Sequence, residues 1–380
     1  MAAAIALASG NAWAQEPTRQ ELRRVFEQLL RDPTNTELNL RYAILARERG
    51  ELRKALATYE RMLATDPDNE EAQEGIRRVR LLLKPDVTEI TALIGGEFQT
   101  NPKYEVDRNS GTDDRILVGQ LLVTDRRNLG ETRWRTDGDI YSNWHAKFGD
   151  IDYLSIGVQT GPVFELAEGW DIRPAVGVSY AILDSEPFFY EGSFSLSIES
   201  TEDGTFQSLN FRGAYADIDS EVAGANAYFL EINPRFVFSD LFTESDQAVL
   251  NPLYRYNGVR GSGTGTGINA ETFPLRYHVI GARADYVFPI TEEIYGGLNF
   301  TASYEIYNER VAPKTAEPSS PKTDDRRDIY LVPGARIIIA RVFNPRHDIV
   351  IGYQYERNLS NDNLETFENH TARVRSVWRF

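Results

Sequence analysis

Four histidines, His145, His278, His347 and His370, are the side chains best suited to proton transfer or metal binding. They fall on separate predicted strands or turns with no local partner pattern. Cysteine is absent, which removes disulfides, thiol chemistry and lipid attachment to Cys from the sequence shown. The run Gly261-Ser262-Gly263-Thr264-Gly265-Thr266-Gly267 has the glycines of a phosphate loop but lacks the following Lys and helix, so it reads as a flexible loop. No serine sits in a nucleophile motif. We therefore expect no catalytic residue, cofactor or metal site. What remains is charge. Arg212, Arg336, Arg373, Arg375 and Arg379, with Glu199, Glu305 and Glu356, occur at alternating positions in half-apolar stretches.

Those stretches have the period of two that places successive side chains on opposite faces of a strand. In 294–307, Leu298, Phe300, Ala302, Tyr304 and Ile306 oppose Asn299, Thr301, Ser303 and Glu305. In 188–199, Tyr190, Phe194, Leu196 and Ile198 oppose Ser193, Ser195, Ser197 and Glu199; 208–215 and 349–356 repeat the pattern. About fourteen such segments follow Pro85, most longer than ten residues, whereas soluble strands average about five or six. Longer Gly/Pro/Ser-rich loops at 100–114, 258–271, 308–326 and 358–366 are expected on one rim. Short turns at Phe148-Gly149-Asp150, 167–169, 202–204, 291–292 and Asn344-Pro345-Arg346 are expected on the other. This predicts a transmembrane antiparallel up-and-down barrel, apolar outside, with the eight charged residues facing a polar lumen.

Composition agrees. Hydrophobic residues make up 41% of the 380 residues, mean hydropathy is −0.42, and no run approaches the roughly 20 apolar residues of a membrane helix. Barrel strands, being half apolar, leave a weak hydropathy trace. Aromatics are nearly all Tyr and Phe, 19 of each, which suits strands and interfacial girdles. A net charge of −16 argues against a nucleic-acid partner. Residues 1–14 read as the apolar end of a secretory signal with an Ala12-Trp13-Ala14 cleavage site.

Between 15 and 84 the period becomes helical. Leu22, Val25, Phe26, Leu29 and Leu30 stripe one segment, and Ala55, Leu56, Tyr59, Met62 and Leu63 another. Asp32-Pro33-Thr34-Asn35 recurs as Asp66-Pro67-Asp68-Asn69, 34 residues on, the length of a tetratricopeptide (TPR) unit. Ala43, Gly50, Ala55, Tyr59 and Pro67 fall at that repeat's small, turn, small, aromatic and proline positions. One full unit flanked by two halves is expected, giving an α+β chain: a short TPR-like segment over 15–84 and a barrel over 85–380.

The last residues, Trp378-Arg379-Phe380, resemble the closing strand of bacterial outer-membrane barrels, in which Trp378 and Phe380 would be read by the barrel-assembly machinery. A TPR segment followed by about fourteen strands resembles the surface lipoprotein assembly modulators (Slam). Tyr353-x-Tyr355-x-Arg357-Asn358-x-Ser360-Asn361, and Glu97-Phe98-Gln99-Thr100-Asn101-Pro102 at the exit of the first strand, are the local echoes. The resemblance implies an outer-membrane protein with its helices in the periplasm and long loops outside, moving a lipoprotein client, with lipid and a periplasmic client or chaperone as partners. An exopolysaccharide export porin is the alternative, and a passive porin a third class. A lumen of aromatic rings and acidic pairs would favour sugar; a laterally opening seam would favour protein.

Overall fold

The computed structural model describes residues 19–105, 113–167, 169–202, 205–218, 226–260, 276–311, 324–362 and 365–380. The candidate signal segment and the Gly261–Gly267 run lie outside them.

Helices α1 (Arg19–Arg31), α2 (Thr36–Glu48), α3 (Leu52–Thr65) and α4 (Glu70–Leu83) form one unit, which also takes in Asn128–Thr132. The repeated Asp-Pro-x-Asn motif builds the same turn twice. Asn35 Oδ1 accepts from Leu38 N at 3.0 Å and Asn69 Oδ1 from Ala72 N at 2.9 Å, capping α2 and α4. Gly50, at φ +72°, makes the left-handed turn from α2 to α3. Ala43, Ala55 and Tyr59 are buried in a shared core with Leu22, Val25, Leu29, Met62, Ile76 and Val79. Pro67 lies in the α3–α4 turn, its carbonyl accepting from Gln73 Nε2 at 2.9 Å. Where the repeat would have an aromatic, buried Asn39 donates to the Pro33 and Asn35 carbonyls, both at 2.9 Å. The polar residue thus ties α2 to the turn before it.

The second unit is a closed barrel of β1 (Val87–Gln99), β2 (Asp114–Leu129), β3 (Thr132–His145), β4 (Tyr153–Ala167), β5 (Trp170–Leu183), β6 (Glu186–Glu202), β7 (Thr205–Ile218), β8 (Asn226–Ser239), β9 (Gln247–Arg260), β10 (Tyr277–Pro289), β11 (Ile294–Val311), β12 (Asp324–Ile339), β13 (His347–Ser360) and β14 (Phe367–Arg379). Each pairs antiparallel with its sequence neighbour and β14 returns to β1, so no backbone edge is left bare. Strands of 13 to 18 residues exceed the roughly 10 needed to span a bilayer. The fourteen-strand prediction holds.

Directly opposed residues share a face, so register sorts the wall. The outward face carries exposed Ile94, Leu117, Val178, Phe194, Leu230, Ile280, Leu298 and Ile351. Aromatic pairs edge it. Tyr180 stacks on Tyr190 at 4.7 Å near one rim, while Phe343, His347 and Trp378 stack near the other. An apolar band between aromatic girdles is the lipid face of an outer-membrane barrel. We call the rim where β1 begins and β14 ends the terminal rim, and its opposite the distal rim.

The turn Phe148-Gly149-Asp150 requires correction. It joins β3 to β4 and, by strand parity, lies on the distal rim with the long loops. The two-residue turn Asp184–Ser185, both at positive φ, joins it there. Turn length alone could not assign the rim, because parity depends on counting every strand before it.

Candidate functional site

The lumen wall is built by every second residue of fourteen strands. At the distal end it carries aromatic rings. Tyr277 on β10 opposes Tyr307 on β11, their rings stacked at 4.8 Å. Tyr330 on β12 and Phe367 on β14 approach to 6.5 Å. The β1–β2 connection folds against them, bringing Tyr104 to 4.7 Å from Phe367 and beside Glu356. Tyr104 is 44% exposed, so its ring lines open space instead of filling a dry core.

Tyr104 is held there at φ +56°, a left-handed conformation costing a non-glycine residue about 1–2 kcal/mol. Asn101 maintains it. Its side chain bonds both backbone groups of Glu105, at 2.7 and 2.9 Å, and its carbonyl accepts from Tyr104 N at 3.1 Å. Asn101 also bonds across the closing seam: its N–H donates to Asn369 Oδ1 at 2.9 Å and its amide to the Glu368 carbonyl at 3.2 Å. Both asparagines are fully buried. Lys103, 2.5 Å from Asp150 and 4.8 Å from the Phe148 ring centre, tethers the same loop from the other side and holds the Asp150 carboxyl below its usual range.

Carboxylates accompany the rings. Glu305 accepts from the Tyr307 hydroxyl at 2.5 Å and from Ser303 at 3.2 Å. Glu356 accepts from Gln354 Nε2 at 2.7 Å. Asp328 pairs with Arg326, whose guanidinium lies 4.2 Å over Tyr307.

The eight charges picked out in the sequence all lie at lumen-facing register positions, but they do not pair with one another. Arg212 bonds Glu191; Arg336 clamps Asp285 at 2.8 and 2.6 Å; Arg375 bonds Glu97; Arg379, at the terminal rim, meets Asp348 at 2.5 Å. Glu199 takes Arg135 at 3.2 Å in a network with Asp137 and Arg173. Arg373 donates to Gln354 Oε1 at 3.1 Å. Glu191 was legible, since it extends the polar series Ser193, Ser195, Ser197 and Glu199. Glu97 and Asp285 as partners, and Asn101 and Tyr104, needed the register.

Trp378 and Phe380 face outward at the terminal rim. Phe380 is 62% exposed, and its backbone pairs with Ile90 at 2.9 and 3.4 Å. His347 Nε2 lies 2.8 Å from Ser376 Oγ, the two residue types that hydrolases pair. Its ring is fully buried under Trp378, however, and Nδ1 has no orienting partner. Among the described residues no three His, Asp or Glu side chains converge as a metal site.

Closed barrel, lipid-facing band and helical repeats together define a TPR-bearing transmembrane β-barrel of the outer-membrane type. A Tetratricopeptide repeat family model matches residues 19–78. No curated protein matches the chain. Among solved structures, a bacterial polysaccharide outer membrane secretin is similar at 12% identity and TM-score 0.38, covering 77% of this chain and 98% of that one. OmpT of Vibrio cholerae is similar at 7% identity and TM-score 0.41, covering 79% and 100%. The translocator domain of the autotransporter NalP from Neisseria meningitidis is similar at 12% identity and TM-score 0.27, covering 83% and 97%. Likenesses this distant say nothing about what passes through the barrel.

Proposed function

We propose that this protein is an outer-membrane export channel for a saccharide chain, with its helical unit in the periplasm. The observation that carries this is the distal lumen, where Tyr104, Tyr277, Tyr307, Tyr330 and Phe367 stand beside the half-buried Glu305, with the carboxylates of Glu356 and Asp328 buried among them. Sugar rings present apolar C–H faces that stack on aromatic rings, and hydroxyls that bond carboxylates. Passage then needs a row of weak contacts and no covalent chemistry.

A protein client, as in the lipoprotein assembly modulators the chain resembles, is the second reading, favoured by the TPR helices. Against it, β1 and β14 pair from Thr91/Arg379 to Gln99/Thr371 and are clasped by Asn101 and Asn369, which supports a closed seam over a laterally opening one. The test is single-channel recording of the full chain in planar bilayers. Maltohexaose should block the current, and Tyr330→Ala should shorten the blocks about tenfold. Blocks by an unfolded polypeptide but not by sugar would overturn the saccharide reading.

A further inference from the structure

Below the aromatic cluster, one row of opposed residues crosses four strand interfaces: Gly297 on β11, Arg336 on β12, Gly352 on β13, Arg373 on β14 and Glu97 on β1. Gly352 leaves the wall bare between two arginines that stand two strands, or roughly 10 Å, apart. A Cβ placed there would lie 3.2 Å from Arg373 Nε and 3.5 Å from Arg336 Cβ, so the Arg373 side chain leans across the glycine toward Arg336 and the two border one shallow hollow in the wall.

The charges around it do not balance. Arg336 is occupied by Asp285, and Arg375 by Glu97. Arg373 has only the neutral Gln354 oxygen and, among the described residues, forms no ion pair. Arg283, 64% exposed, reaches Asp285 only at 4.0 Å, and that carboxylate is already clamped. Arg375, Arg336 and Arg283 lie close enough to act on Arg373, opposed by the carboxylates of Glu97 and Glu356. Four guanidiniums thus face three carboxylates, Glu97, Asp285 and Glu356, on a wall whose outer side is lipid, where fields are focused and like charges repel. An anion entering the hollow relieves that repulsion and gains charge-assisted hydrogen bonds.

We propose that the Arg336–Gly352–Arg373 hollow is a binding site for an anionic group, a carboxylate, carried by the saccharide that the channel exports. This rests on the saccharide reading and names the substrate class as acidic. Gln354 connects the hollow to the distal constriction, since it accepts from Arg373 and donates to Glu356, which lies beside Tyr104. An acidic sugar held at the hollow is therefore aligned with the rings above it.

The test records block durations on the full chain for hexagalacturonate, maltohexaose and inorganic phosphate, with wild type, Arg373→Gln, Arg373→Lys and Gly352→Val. Arg373→Gln should shorten hexagalacturonate blocks about tenfold, the loss of one charge-assisted contact, and leave maltohexaose unchanged. Arg373→Lys should restore part of the effect, and Gly352→Val should mimic the loss by displacing the Arg373 side chain that lies over the glycine while keeping both charges. Equal hexagalacturonate blocks in wild type and Arg373→Gln overturn the site while leaving saccharide passage standing. Blocks by phosphate, but by neither sugar, that depend on Arg373 support the anion site and overturn the saccharide reading. Phosphate blocks indifferent to Arg373, with no sugar blocks, overturn both.

Discussion

The helical unit and the barrel solve the same problem with opposite solvents. In the helices apolar side chains turn inward: Tyr59 is 1% exposed and Val79 fully buried. In the barrel they turn outward, with Val178 63% and Leu230 55% exposed, while arginines and carboxylates line the inside. The helical unit is held by a dry core. The barrel is held by a closed ladder of backbone hydrogen bonds and by lipid outside it. A buried aromatic should therefore matter where it is a core residue and matter little where it is a lipid-facing one.

The largest effect is expected at Tyr59. Its ring packs against Gly75, where an added Cβ would sit 2.4 Å from ring carbons. Tyr59→Ala should cost about 3–5 kcal/mol and melt the helical unit, seen as lost helical circular dichroism while the barrel keeps its heat-modifiable gel shift. If barrel and helices melt together, the contrast fails. Next comes a charge on the lipid face. Val178→Arg should destabilise the barrel by about 2–4 kcal/mol in liposome refolding, whereas lumen-facing Ser193→Arg, opposite Ala214 and Gly177, should be nearly neutral.

A smaller effect falls on the seam. Asn369→Ala leaves the buried Asn101 N–H unpaired and should cost about 1–3 kcal/mol, read as a lowered urea midpoint and noisier conductance as the Tyr104 loop loosens. The smallest effect is pH-dependent and local. Burial by itself would raise the Asp246 carboxyl. The Tyr286 hydroxyl and the N–H groups of Thr243, Phe242 and Leu241 nonetheless hold it down to about 2 from its ordinary 3.8. A lowered value means the carboxylate steadies the β8–β9 turn above pH 3.8, and that this support is lost as pH falls through about 2. Amide protection at Leu241–Thr243 should fall over that window in wild type and stay flat in Asp246→Asn.

Much of this is legible in the residues. Alternation such as Leu298, Phe300 and Ala302 against Asn299, Thr301 and Ser303 needs only neighbouring positions, because strand geometry is local. The Asp-Pro-x-Asn repeat announces both helix caps for the same reason. Turn length puts Phe148-Gly149-Asp150 on the wrong rim, because the rim depends on the parity of all preceding strands. The lumen arginines can be named from alternation but their partners cannot, because Arg375 and Glu97 stand 278 residues apart and meet only when the cylinder closes.

The sequence by itself determined which face of each strand is greasy, where the helices start and stop, and that the chain spans a membrane as a barrel. Only the tertiary structure decided which charges meet, that Tyr104 turns into the lumen, and that Arg373 leans across Gly352 toward Arg336. The division has one physical cause. Side-chain direction follows from local backbone geometry, whereas pairing follows from register, and register is settled across the whole barrel when β14 closes on β1.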